Sequence, residues 1–175
     1  MWMQLPMKTA RLRIRSLRES DCSSFLKVMN SNDQFLYPWV RPVKTKDEFL
    51  KYYQTFNRIS AEGFLLEHLE NNEIVGLVSL GGILRGALQS GQLGFYLSET
   101  YSKKGFMSEA LKGIIPYIFK NLRLHRIEAN VQPNNRASKA LIKKMGFVNE
   151  GFSQRFMYIY GAWRDHERWA ICSDY

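Results

Sequence analysis

Hydrophobic and polar positions change period several times along the chain, and each change marks an element. Thr9 to Arg15 alternates, with Leu12 and Ile14 on one face and Arg11, Arg13 and Arg15 on the other, the pattern of a half-exposed strand. Asp21 then opens a helix through about Asn30 that buries Phe25, Val28 and Met29. Phe35 to Pro42 is an aromatic-rich loop whose prolines stop any regular element. Thr45 caps a second helix from Lys46 to about Ser60, with Asp47 and Glu48 in the first turn and Phe49, Tyr52, Tyr53 and Phe56 at helical spacing as a core stripe. Phe64 to Leu69 and Ile74 to Leu84 read as paired strands joined by the turn residues Glu70 to Glu73. Gly81, Gly82, Gly86 and Gly91 around Leu84-Arg85-Gly86 predict a bulged connection to a strand from Gln92 to Leu97.

The second half alternates helix and strand. Met107, Leu111, Ile114, Ile115 and Ile118 share one face of a helix from Gly105 to Asn121, and Pro116 inside it predicts a kink or an early end, because an internal proline costs about 3 kcal/mol. His125 to Val131 is a strand. A short helix follows, with Asn134 as its N-cap, Lys143 and Lys144 in its last turn and Gly146 just past its end. Strands from about Val148 to Ile159 and Trp163 to Cys172, joined at Gly161, finish the chain. This order indicates an α+β fold with a mixed central sheet.

Composition narrows the class. A chain of 175 residues that is 45% apolar and 14% aromatic is one domain spanning 1–175 with a full core, and disorder is not expected inside it. No run reaches the length of a membrane span and Met1 to Pro6 lacks the features of a signal peptide, so the expected location is cytoplasmic, with no membrane partner. Cys22 and Cys172 lack metal or redox spacing, and the three histidines are far apart in sequence, so no metal is expected. The net charge is +9, and Tyr101 to Phe147 carries ten Lys and Arg against two Glu. Such a basic stretch suits a phosphate-rich ligand. It lacks the interleaved aromatics of a nucleic-acid surface, so no sequence-specific nucleic-acid binding is expected.

The chemistry concentrates in that basic stretch. Tyr101-Ser102-Lys103-Lys104-Gly105-Phe106-Met107-Ser108 joins a strand to a helix start, where unpaired backbone N–H groups and the helix dipole hold a diphosphate and Gly105 lets the backbone come close. Beyond it come Leu124-His125-Arg126-Ile127, Ala129-Asn130, Pro133, Asn135, Ser138, Met145-Gly146-Phe147, Glu150-Gly151 and Gly161-x-Trp163-Arg164-Asp165-His166. With Phe35-Leu36-x-Pro38-Trp39 and Arg85-Gly86 upstream, the succession resembles the GCN5-related N-acetyltransferases, or GNAT superfamily, in particular the RimJ/RimL branch that acetylates ribosomal-protein N-termini, on the RimJ side. The window Ser102 to Met107 keeps only the central glycine of the superfamily's short acetyl-CoA motif, so the longer succession carries the likeness.

The resemblance implies a sheet of about six or seven strands, splayed between its fourth and fifth strands and flanked by about four helices, with acetyl-CoA wedged between Gln92–Leu97 and His125–Val131. It implies direct attack of an amine on the thioester with both substrates bound. Cofactor contacts then fall on Phe95, Leu97, Lys103, Lys104, Gly105, Phe106, Met107 and Ser108, with Asn135 on the pantetheine arm and Ser138 meeting the leaving thiolate. Backbone N–H groups around Phe95 to Leu97 would stabilise the oxyanion. The base is open between Glu128 and an ordered water that Asn130 orients, because Gln92 stands where many relatives carry Glu. Tyr96 is a further acid candidate. Asp165-His166 and His125-Arg126 read first as structural polar contacts.

The acceptor expected from the resemblance is a protein N-terminus, on a ribosomal protein or the ribosome. A physical reason points the same way. An α-amine has a pKa of about 7.7 to 8.0, whereas a lysine ε-amine at about 10.4 needs roughly 3.5 kcal/mol more to become neutral. A site with no obvious strong base suits the easier amine. Tyr37, Trp39, Arg41 and Arg85 would form the peptide wall. A polyamine or aminoglycoside is the alternative acceptor, but it calls for a carboxylate cluster, and Glu67, Glu70 and Glu73 read as solvated turn charges. A non-catalytic CoA- or RNA-binding module is the alternative outside enzymes, and the assembly is expected to be a monomer or homodimer.

Overall fold

The computed structural model describes residues 5–56 and 59–173. Its elements are β1 (Met7–Lys8), β2 (Leu12–Ser16), α1 (Cys22–Ser31), α2 (Asp33–Leu36), α3 (Lys46–Thr55), β3 (Glu62–His68), β4 (Ile74–Leu84), β5 (Ser90–Leu97), α4 (Phe106–Lys120), β6 (Arg126–Val131), α5 (Arg136–Lys144), β7 (Val148–Ile159) and β8 (Ala162–Cys172). The strands form a single mixed sheet of eight in the order β1-β2-β3-β4-β5-β6-β8-β7. All neighbours are antiparallel except β5 and β6, which α4 connects in parallel. The α+β architecture is that expected, with the two-residue β1 and the four-residue α2 added to the expected elements.

Strand alternation builds two cores, one on each face. Leu12 and Ile14 of β2, Phe64 and Leu66 of β3 and Ile127, Ala129 and Val131 of β6 pack with Ala110, Leu111, Ile114 and Ile118 of α4 and Ile142 of α5. On the opposite face Leu65 of β3 and Leu77 of β4 pack with Phe25 and Met29 of α1, Leu36 of α2 and Phe49 of α3. The sheet is thus sandwiched between an α4/α5 layer and an α1/α2/α3 layer.

One expectation narrows and three change. α4 runs through Pro116 to Lys120 without ending, since Ile114, Ile115 and Ile118 around the proline are buried and their packing outweighs the lost hydrogen bond. α3 stops at Thr55, short of Ser60, and Asn57 and Arg58 lie outside the described residues. The N-cap of α5 is Asn135 and not Asn134, because Asn135 N–H closes a turn onto the Gln132 carbonyl and delays the helix by a residue. Glu67 is no solvated turn charge. It is buried on β3, where Arg15 of β2 donates to it at 2.6 Å and to Asp21 at 2.7 Å.

Candidate active site

β5 and β6 pair only through Ser90–Gln92 and Arg126–Glu128, then part. On its other edge β5 stays paired with β4 and packs closely there: Gly76 of β4 lies opposite Leu97, and a Cβ there would sit 2.2 Å from the Tyr96 carbonyl. That carbonyl, and the Ser98 N–H that donates to Val75, point from β5 toward β4. By strand alternation the N–H groups of Phe95 and Leu97 point the other way, into the gap that β6 has left. A cleft of about 740 Å³ fills this gap and passes between the two layers. Both its size and its mostly apolar wall suit a small-molecule substrate.

The α4 side of the cleft is an anion cradle. Gly105 is the N-cap of α4 at φ +84°, and no side chain caps that helix, whereas Thr45 caps α3 and Asn135 caps α5. The first-turn N–H groups of Phe106, Met107 and Ser108 are therefore left for a ligand beside Lys103, which itself has φ +57°. Arg11 holds this turn in place, donating to the Lys104 carbonyl at 3.0 Å and to Glu109 at 2.7 Å while lying 4.0 Å above the Phe106 ring. Burial opposes ionisation of Glu109, yet the Thr9 hydroxyl and the Arg11 backbone and guanidinium hold its pKa below the usual carboxylate value. Arg11 is remote in sequence, and only the packing of the β1–β2 turn on α4 brings it here.

Of the expected residues, Trp39, Phe95, Tyr96, Leu97, Lys103, Gly105, Met107, Ser108, Asn130, Asn135 and Ser138 converge on the cleft. Asn135 accepts the Ser138 N–H at 3.1 Å through Oδ1, so the capping role is real and its amide NH₂ remains as the donor. Tyr96 lines the cleft, but its side chain packs on the α1/α3 core with its hydroxyl hydrogen-bonded to Tyr52, and burial pushes its pKa well above the usual phenol value. It stays protonated at neutral pH.

Five expected residues are placed differently. Phe106 keeps its first-turn N–H at the helix start while its ring is core, packed edge-on to Tyr101, whereas Lys104 contributes its carbonyl to Arg11. Glu128 lies outside the cleft lining and is engaged by Arg126 at 2.7 Å, in a cluster that also holds Glu150, so a strong cation competes for its lone pairs. Arg85 donates to the Leu122 carbonyl at the far end of the sheet. Tyr37 packs edge-on against Tyr160 at 4.9 Å, and Arg41 pairs with Glu48 at 2.9 Å. The aromatic loop still walls the cleft, through Phe35, Leu36, Trp39 and Val40, and is pinned from β6 and β7 by Gln132 to the Pro38 carbonyl and Tyr160 to the Val40 carbonyl.

His166 is the residue whose place in the cleft the sequence concealed. It is 2% exposed and lines the cleft, with Nδ1 3.0 Å from the Arg164 carbonyl. A carbonyl only accepts, so Nδ1 carries the proton and Nε2 keeps a lone pair. Burial lowers its pKa below 6.5, against the smaller raising effects of that carbonyl and Asp165. The neighbouring Trp-Arg-Asp-His run was a sign of something specific, but only β7–β8 pairing turns His166 inward.

A splayed parallel pair with an uncapped helix start on one side and an apolar wall on the other is the arrangement that the resemblance to acyl-CoA-dependent N-acyltransferases implied. Residues 11–148 match the Acetyltransferase (GNAT) domain, and the chain belongs to that family. The protein is an acetyl-CoA-dependent N-acetyltransferase with acetyl-CoA as its co-substrate. It is 30% identical over 167 residues to the [ribosomal protein uS5]-alanine N-acetyltransferase of Escherichia coli (strain K12), covering 90% of this chain and 86% of that one. A spermidine N(1)-acetyltransferase of Vibrio cholerae is 27% identical over 164 residues, covering 93% of each. Among solved structures, the ribosomal-protein-S5-alanine acetyltransferase from Vibrio fischeri superposes with a TM-score of 0.88 at 27% identity, covering 98% of both chains. Mycobacterium smegmatis RimJ in complex with CoA-disulfide superposes at 0.86 and 26% identity, covering 97% of this chain and 89% of that one.

Proposed function

We propose that the protein acetylates the N-terminal α-amine of a protein, with a ribosomal protein as the first candidate. One observation carries this reading: among the described residues lining the cleft there is no Asp or Glu. A polyamine or aminoglycoside brings two or more positive charges, and burying them without carboxylate partners is costly. An α-amine is partly neutral at pH 7.5 and needs no such partner. The wall of Phe35, Leu36, Trp39 and Val40 gives the following peptide residues apolar contact. The similarity to a uS5-alanine acetyltransferase agrees.

In this reading the diphosphate of acetyl-CoA lies on the N–H groups of Phe106 to Ser108, with Lys103 adding charge, and the Asn135 amide donates to the pantetheine arm. The thioester carbonyl points at the N–H groups of Phe95 and Leu97, which stabilise the charge that develops on its oxygen. Ser138 donates to the departing sulfur. Ser138→Ala is expected to lower kcat about tenfold with the KM for the amine unchanged, the mark of a contact made in the transition state. An elevated amine KM at constant kcat would instead place Ser138 in acceptor binding.

The acceptor is tested by giving the enzyme acetyl-CoA with a panel of N-terminal peptides of ribosomal proteins, internal-lysine peptides, spermidine and an aminoglycoside, and locating the acetyl group by mass spectrometry. N-terminal acetylation of a peptide at the highest kcat/KM is expected. Fast spermidine acetylation with no N-terminal product would transfer the assignment to the small amines.

A further inference from the structure

We infer that His166 is the catalytic base, taking a proton from the acceptor nitrogen through Nε2. The inference rests on the acetyl-transfer reading of the cleft but not on which amine is the acceptor.

Sheet register puts His166 where the acceptor arrives. Asn130 of β6 pairs with Arg168 of β8, so by strand alternation Asn130, His166 and Arg168 share one face. Ala129 and Val131, on the other face, belong to the α4/α5 core. His166 and Asn130 therefore lie on the side of the aromatic loop, whose Pro38 carbonyl is reached by Gln132, the residue just after β6. Ser138, Asn135 and the anion cradle lie on the opposite, α4/α5 side. A thioester entering from that side and an amine entering from the loop side meet in the gap between β5 and β6, with His166 on the amine's side.

The rest of the cleft lacks a rival. Its lining holds no carboxylate among the described residues, its Tyr96 is held protonated, and Lys103 belongs to the cofactor turn. The other histidines lie elsewhere: His68 stacks on Tyr101 and His125 meets Ser173. The groups around His166 leave its lone pair unclaimed. On β8 the Asp165 carboxylate accepts the Arg155 N–H at 2.7 Å, and Arg164 and Arg168 are cations. From β7, Ser153 lies opposite in register and the Phe156 ring lies 6.0 Å away, while β6 presents the neutral Asn130 and Gln132. Glu167, next in sequence, is turned to Lys139 at 2.9 Å. The Arg164 carbonyl fixes the ring's tautomer as an orienting group does in other base-catalysed sites.

The proton accounting closes. The neutral amine nitrogen attacks the thioester carbonyl carbon and becomes positively charged as the N–C bond forms. Nε2 takes its proton. The C–S bond breaks, the thiolate takes a hydrogen bond from Ser138 and a proton from solvent, and the imidazolium returns its proton to solvent. A buried imidazole is too weak a base to strip a free ammonium completely, but it is well matched to the far more acidic nitrogen formed by attack. Solvent supplies the neutral amine, which again favours an acceptor of modest pKa.

The test compares wild type, His166→Gln and His166→Ala on whichever amine the panel shows to be turned over, so a wrong acceptor and a wrong base give different results. The expected loss in kcat for His166→Gln is about a hundredfold or more, with CoA affinity and melting temperature unchanged. In wild type, log kcat/KM against pH should rise with slope 1 below the amine's pKa and steepen to slope 2 at a more acidic pH, on the acid side of an ordinary imidazole, where His166 is also protonated. In His166→Gln the slope should stay at 1, and added imidazole should partly restore His166→Ala. A wild-type profile that never steepens overturns the inference even if the variants fail to fold. So does a folded His166→Gln that keeps activity within threefold of wild type.

Discussion

Gly105→Val is expected to weaken CoA binding by roughly tenfold to a hundredfold. Gly105 sits at φ +84°, where a β-branched residue is strained by about 1–3 kcal/mol, and its Cβ would come 3.5 Å from the Arg11 guanidinium. The strain is relieved by rotating the peptide out of the left-handed region, which re-aims the first-turn N–H groups of α4 away from the cleft. Arg11 then loses its hold on the neighbouring Lys104 carbonyl. Isothermal calorimetry with CoA reads the affinity, and the melting temperature without ligand separates a displaced turn from a damaged fold. An unchanged CoA affinity would place the diphosphate somewhere other than this helix start.

The larger effect on stability is expected from Arg15→Met, at about 3–5 kcal/mol, since removing one member of a buried ionic cluster leaves Asp21 with only the Arg18 N–H and Glu67 with only the more exposed Arg13, 3.6 Å away. The side chains of Arg15, Asp21 and Glu67 are only 11%, 9% and 11% exposed. Burial raises the cost of ionising Asp21, but hydrogen bonds from Arg15 and from the Arg18 N–H, together with their charge, outweigh it and hold its pKa below the usual value. A carboxylate with a depressed folded pKa contributes stability above its unfolded pKa, near 4, and loses it as pH falls through the folded value. Wild type should therefore lose this contribution below about pH 4. Arg15→Met leaves two buried carboxylates facing one another, so its deficit should be greatest at neutral pH and shrink as they protonate. Urea unfolding at pH 7 and pH 4.5 measures both. Adding Asp21→Asn and Glu67→Gln should recover much of the loss, and a deficit under 1 kcal/mol at pH 7 would show that the cluster is worth no more than a surface pair. The cluster ties β2 to β3 and to the turn before α1, and so seats the layer that carries the aromatic loop.

The sequence by itself determined the elements and the cofactor end of the site. Strand and helix periods are local, and so is the turn proposed to hold the diphosphate: Lys103 to Ser108 is continuous chain whose backbone would do the binding, and a glycine in front of an apolar helix face is visible without a partner. Asn135 and Ser138 belong to the same category, three residues apart at one helix start. Tertiary structure decided everything that depends on which face a strand presents. Glu128 and His166 are both polar residues on strands with a plausible chemical role; Arg126, two residues before Glu128 on β6, holds it, while the β6–β8 and β7–β8 registers bring Glu150 to that pair and turn His166 into the cleft. Arg15 and Glu67 read as surface charges until β2–β3 pairing buries them together. Arg11 and Glu109 lie almost a hundred residues apart, and Tyr37, Arg41 and Arg85 have long flexible or exposed side chains whose direction nothing local fixes. The physical reason is common to all of these. A backbone site is specified by adjacent residues, whereas a side chain's environment is set by residues that only the folded sheet brings beside it.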